Sequence, residues 1–205
     1  MNASQDTIFG GSFLVAPLGS QPQFIPEELS DDAKAVGQAA REFVEGEIIP
    51  NDAAIDKLDL ELSRELLGKA GELGLLSLEI PEAFEGMDLD KLTGLLVLEE
   101  LGRQASFSVS YGAHTGIGTL PIVYFGNEEQ KAKYLPKLGS GEWLAAYALT
   151  EPGAGSDAMN AKTVATLDGD TWVLNGSKMW ITNAGFADVF VVFAKVDGQI
   201  GRAHV

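Results

Sequence analysis

The sequence predicts an α+β protein in which an all-α N-terminal part is followed by an incomplete antiparallel β part. Two observations carry this prediction. Up to Gly141, apolar residues recur at intervals of three and four, which is the spacing of amphipathic helices. After Gly141 they form short runs rich in β-branched and aromatic residues, separated by Asp-Gly and Asn-Gly turns. With 205 residues, 45% of them hydrophobic, the chain is long enough for a sizeable core.

The first helix is predicted to begin after Glu27 and to end at Pro50. Acidic residues lead it, and they suit the positive end of the helix dipole. Its apolar residues share one face and are Leu29, Ala33, Val36, Ala40, Phe43, Val44 and Ile48. The pattern therefore indicates an amphipathic helix with one buried face.

A second helix is predicted over residues 62–73, where leucines and an alanine share one face. Gly74 is placed to end it, since glycine readily takes the left-handed conformation found after helices. The connection at residues 75–80 is expected to be extended, because the residue before Pro81 avoids the helical region.

Residues 92–101 are apolar on nearly all sides, which predicts a helix in the middle of a bundle. Glu99 and Glu100 interrupt this run. Adjacent residues on a helix point about 100° apart, so two neighbouring carboxylates do not face one another. We interpret the pair as a solvated or subunit-facing edge and not as paired catalytic acids.

Residues 106–125 contain three glycines and form either a loose loop or a helix whose small residues leave room for a neighbour. The helix is favoured. His114 lies in this apolar stretch and is interpreted as a hydrogen-bonded packing residue and not as a catalyst. Asn127 and Gln130 have the spacing of a capping box, which predicts a further helix that continues only weakly past Pro136.

Five short runs after this helix are predicted to be strands. They are residues 143–149, 163–167, 171–174, 178–182 and 188–196. The chain thus divides into a helical domain at residues 27–142 and a partial β domain at residues 143–199. Ligand pockets tend to form where two domains meet, so this boundary is where a binding site is expected.

Composition excludes several functions. Thirty acidic against fourteen basic residues give a formal charge of −16, which argues against binding nucleic acid or an anionic membrane. There is no cysteine, and two histidines without metal-ligand spacing predict no metal site. Residues 1–7 carry no Lys or Arg, and no run approaches the ~18 apolar residues of a membrane span. We therefore expect a cytoplasmic protein without a cleaved signal or transmembrane segment.

The turn-rich stretch at residues 147–157 is the first candidate binding site. Gly153 and Gly155 can adopt positive φ and let the backbone approach a ligand, while Thr150 and Ser156 offer hydroxyl groups. An ordinary turn at the end of a strand explains these residues equally well. A Rossmann dinucleotide site is excluded, because the third glycine and the following helix are missing.

The second candidate stretch spans residues 175–185. A hairpin turn at Asn175-Gly176 is predicted to lead into a strand on which Trp180 and Thr182 share one face. An indole beside a hydroxyl group suits a flat heteroaromatic ring that needs both stacking and a hydrogen bond. A core tryptophan beside a strand threonine is the alternative interpretation.

Together the two stretches resemble the diagnostic motifs of the acyl-CoA dehydrogenase family, in the same order and at the family's spacing. The first motif reads Tyr147-Ala148-Leu149-Thr150-Glu151-Pro152-Gly153-Ala154-Gly155-Ser156-Asp157. The second reads Asn175-Gly176-Ser177-Lys178-Met179-Trp180-Ile181-Thr182-Asn183. Pro81-Glu82 and residues 125–136 add to the resemblance, which covers residues 26 to about 198.

The resemblance implies a helical domain, a middle β-barrel domain and a C-terminal four-helix bundle, with FAD bound between them. It implies α,β-dehydrogenation of fatty acyl-CoA to trans-2-enoyl-CoA in fatty acid β-oxidation, with an electron-transfer flavoprotein as acceptor and a homo-oligomeric full-length enzyme. The family's catalytic base is a glutamate of the C-terminal bundle, which this chain lacks. No residue present is therefore assigned as catalytic, and we expect this fragment alone to bind FAD poorly and to be inactive.

The resemblance also implies a set of cofactor-binding residues. They are Tyr147, Ala148, Leu149, Thr150, Glu151, Gly153, Gly155, Ser156, Trp180, Ile181 and Thr182. Tyr147 and Thr150 would contact the isoalloxazine, Trp180 would pack against it, and Thr182 would lie near N5. Backbone groups from residues 151–156 would complete the site, and Ser156 would also lie near the phosphopantetheine arm of the substrate.

Within the family, Gly10-Gly11-Ser12-Phe13-Leu14 and residues 112–118 resemble the long- and very-long-chain branch. Glycines in the second stretch would leave space for a long acyl tail, although small residues equally serve helix packing. Two alternatives stay open: a related flavoenzyme, such as a monooxygenase or nitroalkane oxidase, and a non-catalytic assembly partner. The absent catalytic base would discriminate among them.

The two ends of the chain carry separate expectations. Residues 1–26 should form an arm that lies on the body of the protein or on a partner subunit. Residues 200–205 resemble the translation of a common sequencing-library adapter, and we expect them not to belong to the natural protein.

Overall fold

The computed structural model describes residues 29–196, the backbone of residues 199–200, and Val15 and Pro17. The rest of the predicted arm and residues 201–205 of the predicted tail lie outside the described residues. In the described part, seven α-helices precede six short strands, which confirms the α+β prediction. No helix among these residues is long and apolar enough to cross a membrane.

The α-helices all lie before residue 141. They are α1 (Asp31–Phe43), α2 (Asp52–Ile55), α3 (Leu60–Glu72), α4 (Lys91–Leu101), α5 (Ala105–Gly112), α6 (Leu120–Phe125) and α7 (Glu128–Ser140). Wide π-type turns at Val44–Ile48 and Ala113–Thr119 continue α1 and join α5 to α6. Residues 106–125 are thus helical, as favoured from the sequence.

Side-chain caps begin five of these helices, because their first backbone N–H groups have no partner within the helix. The capping residues are Ser30, Asp59, Asp90, Gln104 and Asn127. At α7 the predicted capping box is complete: the Asn127 side chain accepts from the Gln130 N–H, and the Gln130 side chain accepts from the Asn127 N–H. Gly74 follows α3 with φ +77, as predicted.

The prediction that Pro50 ends the first helix is wrong, and α7 continues past Pro136 more regularly than predicted. The chain stays helical past Pro50, which lies where the π-type turn Val44–Ile48 gives way to a 3-10 turn, Ile49–Asn51. Helix α7 runs past Pro136 to Ser140. Leu135 and Leu138 flank this proline and are fully buried, so their packing outweighs the hydrogen bond that Pro136 cannot donate.

Residues 75–80 form consecutive turns and not the predicted extended connection. The folding of this segment is explained by burial, since Leu75, Leu76, Leu78 and Ile80 all lie in the protein interior. In an extended segment Leu75 would face away from Leu76, Leu78 and Ile80, because successive side chains alternate.

Helix α4 is buried on one side only, which corrects the prediction of a central bundle helix. Val97 and Leu101 are fully buried and pack toward α1, whereas Leu95 and Leu98 are 60% and 37% exposed. Glu100 accepts hydrogen bonds from the Arg41 guanidinium of α1, and Glu99 lies exposed. The two carboxylates therefore form a helix edge, as interpreted from the sequence.

The strands form two small sheets. They are β1 (Ala145–Ala148), β2 (Val164–Asp168), β3 (Thr171–Asn175), β4 (Val189–Val192), β5 (Lys195–Val196) and β6 (Gln199–Ile200). The antiparallel prediction holds for the pairs β2–β3 and β5–β6. It does not hold for β1–β4 and β2–β5, which are parallel, because a long excursion of the chain separates the two strands of each pair.

The sheet formed by β1 and β4 packs against the helices. Ala145 of β1 and Val189 of β4 share a buried cluster with Ile122, Leu135 and Leu138 of α6 and α7. This cluster adjoins the larger helical core, which is centred on α1, α3 and α4. We call the contact between the helices and the sheet formed by β1 and β4 the seam. The candidate site lies at this seam.

Candidate functional site

His114 links the helices to strand β1 at the floor of the seam. It is fully buried, its Nε2 lies 3.1 Å from the Leu138 carbonyl oxygen, and its Nδ1 lies 3.0 Å from the Ala145 nitrogen. The backbone N–H can only donate, so Nδ1 accepts and Nε2–H donates to the carbonyl. Burial lowers the pKa of His114 to about 4, which keeps the ring neutral. His114 is thus a hydrogen-bonded packing residue, as interpreted.

The first motif begins on β1 and continues into a tight turn. The Tyr147 ring packs edge-on against Phe193, with 5.0 Å between ring centroids. After the strand, Glu151 and Ala154 exchange two backbone hydrogen bonds of 3.0 and 3.1 Å across the turn. Gly153 and Gly155 do not adopt positive φ, contrary to the expectation, but a Cβ built on either would meet no atom within 4 Å. The backbone is therefore open to a neighbour at both glycines.

The second motif is not a strand. Trp180 has φ 58, in the left-handed region that interrupts a pleated strand, so residues 178–182 are irregular. The predicted sharing of one strand face by Trp180 and Thr182 is therefore wrong. Nor does Asn175-Gly176 turn a hairpin: a Cβ at Gly176 would lie 2.2 Å from the Thr163 hydroxyl, so glycine there permits close passage of two segments.

Direct hydrogen bonds bring the two motifs together. The Met179 N–H donates to the Thr150 carbonyl over 3.0 Å. The Lys178 ammonium donates to the Leu149 carbonyl over 2.9 Å and to the Glu151 carboxylate over 2.7 Å. The turn of the first motif and the Trp180 segment of the second therefore form one surface.

The Glu151 side chain is buried and faces the protein interior. Its Oε2 accepts from the Lys162 N–H at 2.5 Å, and its Oε1 accepts from the Thr163 N–H at 3.0 Å in addition to Lys178. Burial raises the pKa of this carboxyl group, but the hydrogen bonds from Lys162, Lys178 and Thr163 outweigh burial and lower the pKa to about 2. The Glu151 carboxylate is thus ionised and engaged by the chain itself.

Other predicted site residues differ in accessibility. Ala148 is buried, whereas Leu149, Thr150, Ile181 and Thr182 are half-buried. Ser156 lies exposed beyond the turn. At the far end of the second motif, the Asn183 side chain donates to the Ser110 carbonyl at 2.9 Å and to the Ala145 carbonyl at 3.2 Å. Asn183 thereby holds this motif against α5 and β1.

An apolar cavity of about 440 Å³ opens beside Tyr147. Residues of the π-type turn, of α6 and its neighbours, and of the β region line it. They are Gly116, Ile117, Leu120, Pro121, Ile122, Tyr124, Phe125, Gly126, Gln130, Tyr147 and Phe193. Burial raises the pKa of the Tyr147 hydroxyl, so this group stays protonated.

Two glycines of residues 112–118 have different roles. A Cβ at Gly118 would lie 2.6 Å from the Ala145 Cβ, so this glycine permits close packing of the helix on β1. A Cβ at Gly116 would meet no atom within 4 Å, and Gly116 lines the apolar cavity. Gly118 thus allows close helix packing, whereas Gly116 leaves open space in the wall of the cavity.

A second cavity, of about 560 Å³, is lined in part by the second motif. Ile181, Thr182 and Asn183 form one wall, and Ser106, Val109 and Ser110 of α5 face them. No group of three or more potential metal ligands occurs among the described residues.

Sequence reasoning missed Lys178 and Phe193 as members of the site. Lys178 could have been noticed, since it is the one basic residue in the quoted second motif and Glu151 is one of two acidic residues in the first. Phe193 gave no such signal, because an aromatic residue near a strand is ordinarily a core residue.

Comparison with known proteins places both parts of the chain in one family. The profile of the acyl-CoA dehydrogenase N-terminal domain matches residues 30–142, and that of the acyl-CoA dehydrogenase middle domain matches residues 146–205. A probable acyl-CoA dehydrogenase of Bacillus subtilis is 52% identical over 198 residues, covering 96% of this chain and 33% of that protein. Bovine mitochondrial isovaleryl-CoA dehydrogenase is 42% identical over 171 residues, covering 82% of this chain and 40% of that protein.

A solved relative shares the fold described above. The acyl-CoA dehydrogenase of Bacillus anthracis, crystallised with FAD, superposes with a TM-score of 0.88 at 50% identity, covering 93% of this chain and 34% of that one. The chain therefore spans about a third of these bacterial relatives. Both profiles, the sequence identities and the common fold agree, and the chain belongs to the acyl-CoA dehydrogenase family.

Proposed function

We propose that the full-length protein that carries this sequence is a FAD-dependent acyl-CoA dehydrogenase that converts fatty acyl-CoA to trans-2-enoyl-CoA. One observation carries the proposal: hydrogen bonds from Lys178 and Met179 to residues 149–151 join the two family motifs into a single surface at the seam. The Bacillus anthracis relative was crystallised with FAD, which supports the choice of cofactor.

The residues of this surface fit a flavin. The Trp180 indole is 83% exposed and available for stacking. Within residues 29–196, no side chain or backbone group hydrogen-bonds the Thr150 or Thr182 hydroxyl, so both can bond the polar edge of a ring. Open backbone at Gly153 and Gly155 leaves room for the remainder of the cofactor. When bound, FAD would accept the electrons removed from the substrate.

Our proposal keeps most of the predicted cofactor residues and changes the role of Glu151. Tyr147, Thr150, Trp180 and Thr182 would hold the ring, and Ser156 would lie near the phosphopantetheine arm. Both backbone groups of Glu151 are paired with Ala154, and its carboxylate binds the chain. We therefore propose that Glu151 supports the site without touching the cofactor.

The cavity beside Tyr147 would hold the acyl chain, because its walls are apolar and Gly116 leaves one side open. We propose a long-chain substrate because Gly10-Gly11-Ser12-Phe13-Leu14 and residues 112–118 resemble the long- and very-long-chain branch of the family.

The proposed partners follow from the family resemblance. An electron-transfer flavoprotein would reoxidise the full-length enzyme, which would be a homo-oligomer whose glutamate base lies outside this sequence. The cytoplasmic location stays a prediction.

Reduction of the bound flavin tests the proposed reaction. Palmitoyl-CoA added without oxygen to the purified full-length protein should bleach the visible flavin absorbance, and enoyl-CoA should appear in equal amount. Butyryl-CoA and isovaleryl-CoA would measure the chain-length preference. Absence of bleaching with every acyl-CoA would contradict the proposal.

Gly116→Leu tests the acyl cavity in the same full-length protein. The new side chain would fill the cavity, and we expect kcat/KM for palmitoyl-CoA to fall about tenfold or more, since a pocket discriminates by that much for a few methylenes. The value for butyryl-CoA should change little. Gly112→Leu is the matched control, because Gly112 also has no atom within 4 Å of its Cβ position and lines none of the cavities described.

A further inference from the structure

We propose that Glu151 and Lys178 are positioning residues that hold the Trp180 loop, residues 176–183, in the shape that receives the flavin. The inference rests on the proposed function, since it concerns how the same site is built. Neither side chain is assigned a contact with the cofactor or the substrate.

The ion pair fixes three chain segments at one point. Glu151 accepts from the backbone of Lys162 and Thr163 and from the Lys178 ammonium, and Lys178 also donates to the Leu149 carbonyl. The side chains of Lys178 and Glu151 are 13% and 6% exposed, so water screens their attraction weakly. The Glu151 carboxylate accepts three hydrogen bonds and the Lys178 ammonium donates two, and such partners allow a buried pair to impose one geometry.

The Trp180 loop has few other attachments. Trp180 is 83% exposed, and its side chain makes no hydrogen bond to the residues described. The loop is held at one end by Lys178 and the Met179 N–H, and at the other by Asn183. Trp180 and Thr182, the two residues of this loop that are proposed to hold the flavin ring, lie between these fixed points.

The loop backbone needs such support, because Trp180 and Asn183 both have left-handed φ values, of 58 and 68. Residues other than glycine rarely adopt this conformation, and it persists where surrounding contacts determine it. Removing the ion pair at one end would let Trp180 relax to a more common conformation. The indole would then leave the position in which it can stack on a ring.

Lys178→Met in the full-length protein tests the inference, with Lys178→Arg as the conservative variant. We expect the dissociation constant for FAD to rise about tenfold or more in Lys178→Met. The variant leaves the buried Glu151 carboxylate without its partner, so the Trp180 loop is no longer held in the shape that receives the flavin. The circular dichroism of the bound flavin in the visible region should change with it. Lys178→Arg should restore both, since a guanidinium can still reach the Glu151 carboxylate.

Hydrogen exchange of the loop gives a readout that needs no flavin. The Met179 amide, bonded to the Thr150 carbonyl, should exchange faster in Lys178→Met than in wild type, at a temperature where both are folded. Lys69→Met is the control, because it removes a lysine whose ion-pair partners, Glu47 and Glu65, belong to neither motif. It should leave FAD affinity and loop exchange unchanged.

The outcomes separate this inference from the proposed function. Unchanged FAD affinity, flavin dichroism and loop exchange in Lys178→Met would overturn the positioning role while leaving the flavin site standing. A lowered unfolding temperature with those three measurements unchanged would show a merely structural pair and would overturn it equally. Failure of the wild type to bind FAD would refute the proposed function, whereas faster exchange in Lys178→Met would still support the hold on the loop.

Discussion

The helical region and the β2–β3 hairpin bury their apolar side chains to very different extents. Leu66, Leu67 and Leu135 in the helices are fully buried. In the hairpin, Leu167, Trp172 and Leu174 are 55%, 38% and 52% exposed, although strand register places all three on one face. These three helical side chains are enclosed by the described chain, whereas the three hairpin side chains keep a large exposed fraction. An alternating apolar pattern thus predicts which face of a strand is apolar, but not how much of that face is buried.

The boundary between the buried and the exposed parts of the structure does not coincide with the boundary between helices and strands. Strands β1 and β4 belong by burial to the helical region, since Ala145 and Val189 pack on α6 and α7. His114 and Asn183 reinforce this attachment through hydrogen bonds to Ala145. We therefore expect the helices and the sheet formed by β1 and β4 to unfold as one unit. The β2–β3 hairpin should contribute little to the stability of that unit.

Leu66→Ala is the strongest test of this difference. Leu66 is fully buried, so its truncation leaves a cavity and should lower the free energy of unfolding by about 2–5 kcal/mol. Urea unfolding followed by far-ultraviolet circular dichroism would measure the loss. Leu174→Ala, the same change at a residue that is 52% exposed, should stay within about 1 kcal/mol of wild type. Equal losses at the two sites would remove the distinction between the regions.

Local features of the fold were predictable because they depend on neighbouring residues. The capping box at Asn127 and Gln130 and the left-handed Gly74 were predicted, since each satisfies the backbone within one turn. The hairpin turn at Gly169-Asp170 between β2 and β3 belongs to the same class.

Features fixed by distant contacts were not predictable in this way. Pro136 continues a helix because Leu135 and Leu138 are buried against other elements. The Trp180 segment leaves the strand conformation where Lys178 binds Glu151, 27 residues earlier in the chain. The sequence allowed the two motifs of the candidate site to be predicted. The ion pair that joins them was seen only in the structure.

The attachment of β1 to the helices should weaken in mild acid. The ordinary pKa of 6.5 for His114 falls to about 4 in the folded protein, so between these values the unfolded chain binds more protons. Stability should therefore decrease as the pH falls from 6.5 to 4.5, by about 2–3 kcal/mol. Denaturant unfolding across this range would measure the slope, which His114→Gln should abolish.

Glu151 affects stability in a different pH range from His114. Its folded pKa of about 2 lies below the ordinary 4.5, so its contribution is present above pH 4.5 and is lost as the pH falls from there toward 2. The two titrations therefore occupy different pH ranges. A slope between pH 6.5 and 4.5 that persisted in His114→Gln would contradict the assignment to His114.

Gly118→Ala tests the contact between the π-type turn and β1. The added Cβ would lie 2.6 Å from the Ala145 Cβ and 2.9 Å from the Ala113 carbonyl oxygen. The strand must then move away from the helix, and we expect a loss of about 1–3 kcal/mol in unfolding free energy. Gly116→Ala, which adds a Cβ in open space, should be neutral or stabilising by about 0.5–1 kcal/mol, because alanine favours the helix. Similar effects at the two glycines would mean that β1 does not pack as closely as described.

Asn127→Ala should have the smallest effect on the free energy of unfolding. It tests whether the sheet formed by β1 and β4 unfolds together with the helices. Loss of the cap from α7 should lower stability by about 1 kcal/mol, whereas Asn160→Ala, at an exposed asparagine of the β region, should stay within about 0.5 kcal/mol. Helix dichroism and the fluorescence of Trp143, measured with Trp172 and Trp180 replaced by Phe, would follow the transition, since the Trp143 ring packs 5.8 Å from that of Tyr134 on α7. Because α7 carries Leu135 and Leu138 against β1, both probes should shift by the same amount. A shift of the dichroism alone would show that the sheet keeps its structure without the helix on which it packs.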